Sequence, residues 1–152
     1  MSQRRLLKHM TWEQVLGEVD QLHRGGYECV GKWDLSQVCD HLSIPLMEVL
    51  EGKFGFKVPW IVKLLGPTVI KRQVLKTRVI REGIRGPQRF VNVVRREESV
   101  AVNDFHATVG RFKGYRGPFP RHPVFGNMTP EQWQDIQIVH ACHHLGFLLP
   151  KQ

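Results

Sequence analysis

The sequence predicts an all-α protein, an antiparallel four-helix bundle with a long crossover between its second and third helices. Apolar residues recur at helical spacing in four separate segments. Thr11, Asp34 and Thr129 each precede one of these segments and are residue types that favour the start of a helix. The crossover is predicted because residues 51–95 are interrupted repeatedly by Gly and Pro. At 152 residues, the simplest organisation is one domain over residues 1–152.

The first helix is predicted to begin at a capping box formed by Thr11 and Gln14, and to end at Gly25-Gly26. Its inward positions are Val15, Leu16, Val19 and Leu22. The second helix is predicted to follow Asp34, with apolar residues on its inward side at Leu35, Val38, Leu42, Leu46 and Val49. Pro45 lies inside this pattern, so we expect the helix to be kinked or split there.

The segment over residues 51–95 is the least regular part of the chain. Residues 68–81 could form a short helix or an extended strand, because Val and Ile are frequent there. The third helix is predicted to start near residues 96–98, with inward residues Val102, Phe105, Val109 and Phe112. A loop follows over residues 114–123, and His122-Pro123 reads as a turn before the last helix. Thr129, Pro130 and Gln132 predict the start of that fourth helix.

Two histidines on the fourth helix, His140 and His144, are the strongest functional signal. They are four residues apart, so they lie one turn apart on the same side of a helix, in the stripe that also holds Trp133 and Ile136. Two imidazoles held in this way can share a metal ion, and a catalytic zinc usually takes three protein ligands. His41, near the inward side of the second helix, is the best third ligand. The alternative is that each is a buried histidine hydrogen-bonded to a neighbour.

Three segments of the chain resemble the DinB/YfiT-like superfamily, a group of proposed metalloenzymes built as four-helix bundles. They run from Gly31 to Leu42, from His122 to Trp133, and from His140 through His143 and His144 to Leu145. The resemblance extends over nearly the whole chain. Within the superfamily, the chain is most similar to an uncharacterised bacterial branch. It implies that His41, His140 and His144 bind a divalent metal, whereas His143 corresponds to a histidine that is not usually a ligand.

Three neutral imidazoles would suit Zn or Ni, with Fe also possible, and would leave an open position on the ion. The sequence therefore predicts a metal-dependent enzyme acting on a small-molecule substrate. The resemblance further implies a transferase or hydrolase that uses a low-molecular-weight thiol. No general base is evident. His106, on the third helix, faces either the pocket or solvent.

A second reading is a non-enzymatic binding module that uses residues 71–96. This segment carries nine Lys or Arg and one acid, Glu82. Such a stripe could bind nucleic acid or an anionic membrane surface, or it could be a solvated face. Chelator and salt distinguish the two readings. A metal enzyme should lose activity in chelator, whereas a binding module should lose affinity for its partner as the salt concentration rises.

Composition indicates the cellular compartment in which the protein is expected. The net charge is +8, and the three cysteines have no paired spacing, which favours reduced thiols in the cytoplasm. The N-terminus lacks the apolar stretch of a signal peptide. The run from Val58 to Ile70 is too short to span a bilayer. A homodimer is expected to form through Trp60 and Leu64 if these side chains are exposed.

Overall fold

A computed structural model describes residues 3–152 and shows a mostly helical protein with little sheet. The elements in chain order are α1 (Trp12–Gly25), β1 (Tyr27–Cys29), α2 (Leu35–Leu50), α3 (Trp60–Leu65), a π-helical segment (Gly66–Ile70), α4 (Lys71–Thr77), α5 (Gln88–Val91), α6 (Glu98–Gly114), α7 (Pro130–Leu145) and β2 (Leu148–Pro150). The four predicted helices correspond to α1, α2, α6 and α7, which are also the longest ones.

Three of these long helices begin at capping boxes, as the sequence predicts. The side chains of Thr11, Asp34 and Thr129 each accept a hydrogen bond from a backbone N–H in the first turn. In each case a glutamine side chain accepts one from the backbone N–H of the cap residue in return. Two otherwise unpaired N–H groups are satisfied at each helix start, which fixes where the three helices begin.

Helix α2 runs unbroken through Pro45, so the split considered from the sequence does not occur. Proline removes one hydrogen bond, the one to the carbonyl of His41, and its cost can be offset by packing. Here Pro45 is itself buried, and α2 packs against both α6 and α7. The inward side chains predicted for α2 are all buried: Leu35, Val38, Leu42, Leu46 and Val49.

The core lies among the four long helices. Both α6 and α7 pack against α1 and α2, and the large side chains of Phe105, Phe112 and Trp133 are fully buried between them. Burying an aromatic or large aliphatic side chain stabilises a fold by about 1.5–3 kcal/mol. Helix α7 is buried over most of its circumference, at Trp133, Ile136, Gln137, Ile138, Val139, Ala141, Cys142 and Leu145. The helix that carries His140 and His144 is therefore an internal one.

A short antiparallel sheet, which the sequence analysis did not predict, pairs the segment after α1 with the segment after α7. Strand β1 pairs with β2, with Tyr27 opposite Pro150 and Cys29 opposite Leu148. Each strand has three residues, too few to show an alternating pattern in the sequence. Because β1 precedes α2 and β2 follows α7, the sheet connects the two helices that carry the candidate ligands.

The middle segment is helical over residues 60–77. The sequence left residues 68–81 open between a helix and a strand, and residues 68–77 are helical. Trp60 and Leu64 are 74% and 64% exposed, as the dimer expectation requires. Gly66 is buried directly beneath the backbone of Val124: a Cβ atom on Gly66 would lie 1.9 Å from the Val124 carbonyl oxygen. Among residues 3–152, the helices are all too short or too polar to cross a membrane.

We expect Gly66→Ala to destabilise the protein by about 1–3 kcal/mol, because the added methyl group would overlap the backbone of Val124. Gly110→Ala in α6 is the matched control, since its Cβ would meet nothing within 4 Å. That change should be neutral or stabilise by about 0.5–1 kcal/mol through helix propensity. Urea unfolding of both variants measures the difference. Equal stability of the two would contradict the close packing at Gly66.

Candidate metal centre

The three histidines predicted from the sequence meet in one cluster. One ring nitrogen from each of His41, His140 and His144 lies within 4.8 Å of the others. The Nε2 atoms of His41 and His140 are 3.0 Å apart. The ring centroids are 4.4–4.9 Å apart for all three pairs. The cluster therefore brings together a residue of α2 and two residues of α7 that are about a hundred positions away in sequence.

A backbone carbonyl fixes the orientation of His41. The Nδ1 atom of His41 lies 2.6 Å from the carbonyl oxygen of Phe90, and this side chain is 5% exposed. A carbonyl can only accept, so Nδ1 carries the proton and donates it. The Nε2 atom then carries a lone pair, which faces the Nε2 atom of His140 at 3.0 Å. Metal-binding histidines usually have a second-shell acceptor of this kind, which sets both tautomer and ring position.

The other two histidines come from adjacent turns of α7 and are only partly buried. The ring of Trp33 packs against His41 at 4.7 Å and against His144 at 5.5 Å between centroids, so it forms one wall of the cluster. The cluster therefore lies between the core and the protein surface, with His41 as its most buried member.

Burial keeps all three rings neutral. It lowers the pKa of His41, although the hydrogen bond to the Phe90 carbonyl partly opposes this. For His140 and His144, burial lowers the pKa well below its ordinary value, and repulsion from the neighbouring histidines adds to the effect. Histidine binds a metal only in its neutral form, so the cluster holds its ligands in the binding form below neutral pH as well as above it.

The cluster has the donors and the spacing that a divalent ion needs. Zinc–nitrogen distances of about 2.0–2.1 Å in a tetrahedral site place two ligand nitrogens roughly 3.3 Å apart. The Nε2 atoms of His41 and His140 are close to that separation at 3.0 Å, and all three ligand nitrogens lie within 4.8 Å of one another. Within residues 3–152, no carboxylate or thiol joins the group. The three imidazoles could therefore hold a metal ion and leave a position open.

The remaining histidines considered from the sequence lie outside the cluster. His143 packs edge-on against His144, and its Nδ1 accepts a hydrogen bond from Arg4 at 2.6 Å. Burial, followed by the charge of Arg4, lowers the pKa of His143 to about 4. His106 lies 2.7 Å from a carboxylate oxygen of Asp20 on α1, so it faces α1 and not the cluster. Neither residue is placed to bind the same ion.

Sequence reasoning missed the residues that support the ligands. The carbonyl of Phe90 has no sequence signal, because any residue presents the same group. Trp33 precedes α2 and Arg4 lies near the start of the chain, and only the fold shows that Trp33 packs on His41 and that Arg4 bonds to His143, beside the cluster. The two cysteines near the cluster, Cys39 and Cys142, are buried in the core.

A model of the family described as "Protein of unknown function (DUF1569)" matches residues 1–151. The chain belongs to this family. No curated protein and no solved structure significantly matches it. The DUF1569 assignment covers all three histidines of the cluster, but the name of the family indicates no activity and does not mention DinB or YfiT.

The basic segment over residues 71–96 is not a continuous free surface in this DUF1569 protein. Four of its nine basic side chains pair with carboxylates of other elements: Arg78 with Asp135, Arg89 with Glu48, Arg95 with Asp34, and Arg96 with both Asp40 and Asp104. Asp40, adjacent to the ligand His41, is thus bound to Arg96. These pairs fasten the crossover to the long helices and reduce the charge that remains for a partner.

His122 holds together the turn before α7, which confirms the turn predicted at His122-Pro123. The backbone groups of His122 and Gly126 exchange two hydrogen bonds of 2.9 Å. The Nδ1 atom of His122 accepts from the backbone N–H groups of Val124 and Phe125 at 3.0 and 3.2 Å. The side chain is buried, and burial lowers its pKa to about 3. His122 therefore stays neutral in the folded protein.

This neutral histidine predicts acid sensitivity. In the unfolded chain His122 titrates near pH 6.5, so between about pH 6.5 and 3 the unfolded state binds a proton that the folded state does not. Its contribution to stability is complete above pH 6.5 and is lost as the pH falls through this window. In His122→Asn the amide oxygen can accept the same two N–H groups without titrating. As the pH falls through this window, the stability of His122→Asn should fall less steeply than that of the wild type. The two slopes should differ by up to about 1.4 kcal/mol per pH unit.

Urea unfolding of both proteins in chelator, from about pH 7.5 to about pH 4.5, measures this difference. Chelator removes any metal contribution from both curves. Parallel losses of stability with falling pH would show that His122 is not held neutral by the fold.

Proposed function

We propose that this protein is a divalent-metal-dependent enzyme whose metal is held by His41, His140 and His144. One observation carries the proposal: three neutral ring nitrogens meet within 4.8 Å, and His41 is fixed in the ligand tautomer by the Phe90 carbonyl. A cluster that served packing alone would gain more from apolar side chains, because each partly satisfied imidazole costs free energy to bury.

The reaction class that we propose is transfer or hydrolysis with the help of a low-molecular-weight thiol. A divalent ion at this position would supply Lewis-acid activation of a thiol or of water. The protein contributes the rest: His140 and His144 remain partly exposed to an incoming molecule, and Trp33 closes one wall. No Asp or Glu of the described residues belongs to the cluster, so proton removal would rest on the lowered pKa of the thiol itself.

We also propose that the fold is a four-helix bundle of the DinB/YfiT-like kind, with the whole chain as one domain. The packing of α6 and α7 against both α1 and α2 supports this arrangement, as does the position of one ligand on the second long helix and two on the last. A cytoplasmic location agrees with three unpaired cysteines, two of them buried in the core. The preferred metals are Zn or Ni, with Fe as a further candidate.

The binding-module alternative has less support. Four of the nine basic side chains between residues 71 and 96 are paired within the chain, so fewer remain for nucleic acid or an anionic membrane. A homodimer stays a prediction. It has a suitable surface, because Trp60 and Leu64 project from α3 with most of their area exposed.

Elemental analysis of untagged protein is the first test. We expect about one equivalent of a divalent metal in the wild type and at least a tenfold loss of affinity in His144→Ala, because a two-histidine site lacks a third ligand. His106→Ala is the matched control, since His106 bonds to Asp20 outside the cluster. Failure of the wild type to bind added Zn²⁺ or Ni²⁺ would overturn the proposal.

A thiol test follows on Co²⁺-loaded protein. If a low-molecular-weight thiol reaches the open position, a thiolate-to-cobalt charge-transfer band should appear on titration and should saturate. His143→Gln keeps the three ligands and should retain the band. A saturable band would justify screening thiol transferase and hydrolase substrates. Absence of any spectral change at millimolar thiol would remove the thiol from the proposal while leaving the metal site in place.

A further inference from the structure

A cavity of about 280 Å³ opens between α3 and the turn that precedes α7. It is lined by Gly55, Phe56, Lys63, Arg121, His122 and Pro123. The lining contains two cationic side chains, one imidazole and one aromatic ring, and no acidic residue. Its ligand-sized volume is at the small end of the range for small-molecule sites, which is about 300–1,000 Å³.

The two walls of this cavity are held firmly against each other. The buried Gly66 lets the backbone of Val124 approach the π-helical segment directly, and Gly126 packs in the same way against Pro67. The turn over residues 122–126 is closed by its own backbone hydrogen bonds. Lys63 on one wall and Arg121 on the other are therefore positioned by packed backbone rather than by a free loop.

His122 presents a hydrogen-bond donor that has no acceptor. Its Nδ1 atom accepts from two backbone N–H groups, so the proton of the neutral ring is on Nε2. In the described part of the chain, no oxygen or nitrogen accepts a hydrogen bond from this Nε2–H. The side chain is 93% buried, since 7% of it is exposed, and it lines the cavity. Among the described residues, Trp133 Nε1 is the one fully buried side-chain nitrogen or oxygen without a partner, so the Nε2–H of His122 keeps some exposure and is free to bond to a molecule in the cavity.

The two cations of the cavity also lack carboxylate partners. Among residues 3–152, neither Lys63 nor Arg121 takes part in an ion pair, whereas the neighbouring Arg78 and Arg89 both do. The side chains of Lys63, Arg121 and His122 therefore line one space. The positive charge of Lys63 and Arg121 there is not balanced by a carboxylate of the described residues. The chemical class that satisfies all three donors at once is an oxyanion, and Arg can bind it through two parallel N–H bonds.

We propose that this cavity is a binding site for a small oxyanion, a carboxylate or a phosphate-like group, held by Arg121, Lys63 and the Nε2–H of His122. Phe56 offers an apolar surface to the remainder of such a molecule. The site is separate from the metal cluster. His122 packs against Trp133, which lies two helical turns, or roughly 10 Å, before His140 along α7.

Two probes test this proposal and distinguish the two kinds of oxyanion. Sulfate represents a tetrahedral dianion, and benzoate represents a carboxylate with an aromatic ring for Phe56. Histidine-labelled protein is titrated with each probe, and the Nε2–H resonance of His122 is followed by NMR. We expect saturable one-to-one binding of at least one probe, with a shift of that resonance. Benzamide, the neutral analogue of benzoate, should not bind.

Variants define which residues carry the binding. Arg121→Gln should weaken it about tenfold or more, because a charge-assisted bond is lost. Arg72→Gln, an equal change of charge on the exposed surface of α4, should leave it unchanged. His122→Asn keeps an acceptor for the turn but removes the Nε2–H, so it should also weaken binding. Circular dichroism confirms that each variant is folded.

The metal-ligand variant His144→Ala separates this proposal from the metal site. Anion binding that persists in His144→Ala, with its dependence on Arg121, supports a separate site. Binding that disappears in His144→Ala would place the anion on the metal and overturn the proposal. Equal affinities in wild type and Arg121→Gln would overturn it as well, and so would the absence of saturable binding by both probes.

Discussion

The hydrogen bond from His41 to the carbonyl of Phe90 connects the crossover to the candidate metal site. Phe90 belongs to α5, within the irregular stretch between the second and third long helices, and its side chain is buried against the core. Its carbonyl selects the tautomer of the one ligand that does not come from α7. If the crossover were displaced, His41 would lose the contact that directs its Nε2 towards His140. The crossover, the least regular part of the chain, therefore sets the ring orientation of one histidine of the cluster.

The same crossover explains why so much positive charge is compatible with a compact fold. Arg89 binds Glu48 near the end of α2, and Arg96 binds Asp40 in its middle. Each pair replaces a solvated charge with a contact between the crossover and a ligand-bearing helix. Such pairs contribute modestly one at a time, about 0–1 kcal/mol when exposed, but several of them together restrict where the segment can lie. Basic side chains that suggested an external partner from the sequence alone thus form ion pairs within the protein.

The sequence was sufficient to predict the starts of three long helices and the three histidines that meet in the cluster. Capping boxes at Thr11, Asp34 and Thr129 depend on residues three positions apart, and the pairing of His140 with His144 depends on one helical turn. These are short-range patterns that a sequence displays directly. His41 could be selected because it lies near the inward side of its own helix.

Features that depend on contacts between distant segments could not be predicted. The β1–β2 sheet pairs residues that follow α1 with residues that follow α7, and the close approach at Gly66 depends on a carbonyl from Val124. Pro45 does not split α2, which continues through it and packs on α6 and α7. The hydrogen bonds of His122 within its turn, and the cavity beside it, become visible only in three dimensions.

The pairing of β1 with β2 also has a consequence for the order of folding. Tyr27 and Pro150 can meet only when nearly the whole chain has been brought together, and closing such a long loop is entropically costly. Contacts of high sequence separation tend to slow the search for the native state. Helices α1, α2 and α6 can begin to associate through nearer contacts. The step that docks α7 and completes the histidine cluster would then come late, so metal capture would report the end of folding and not its beginning.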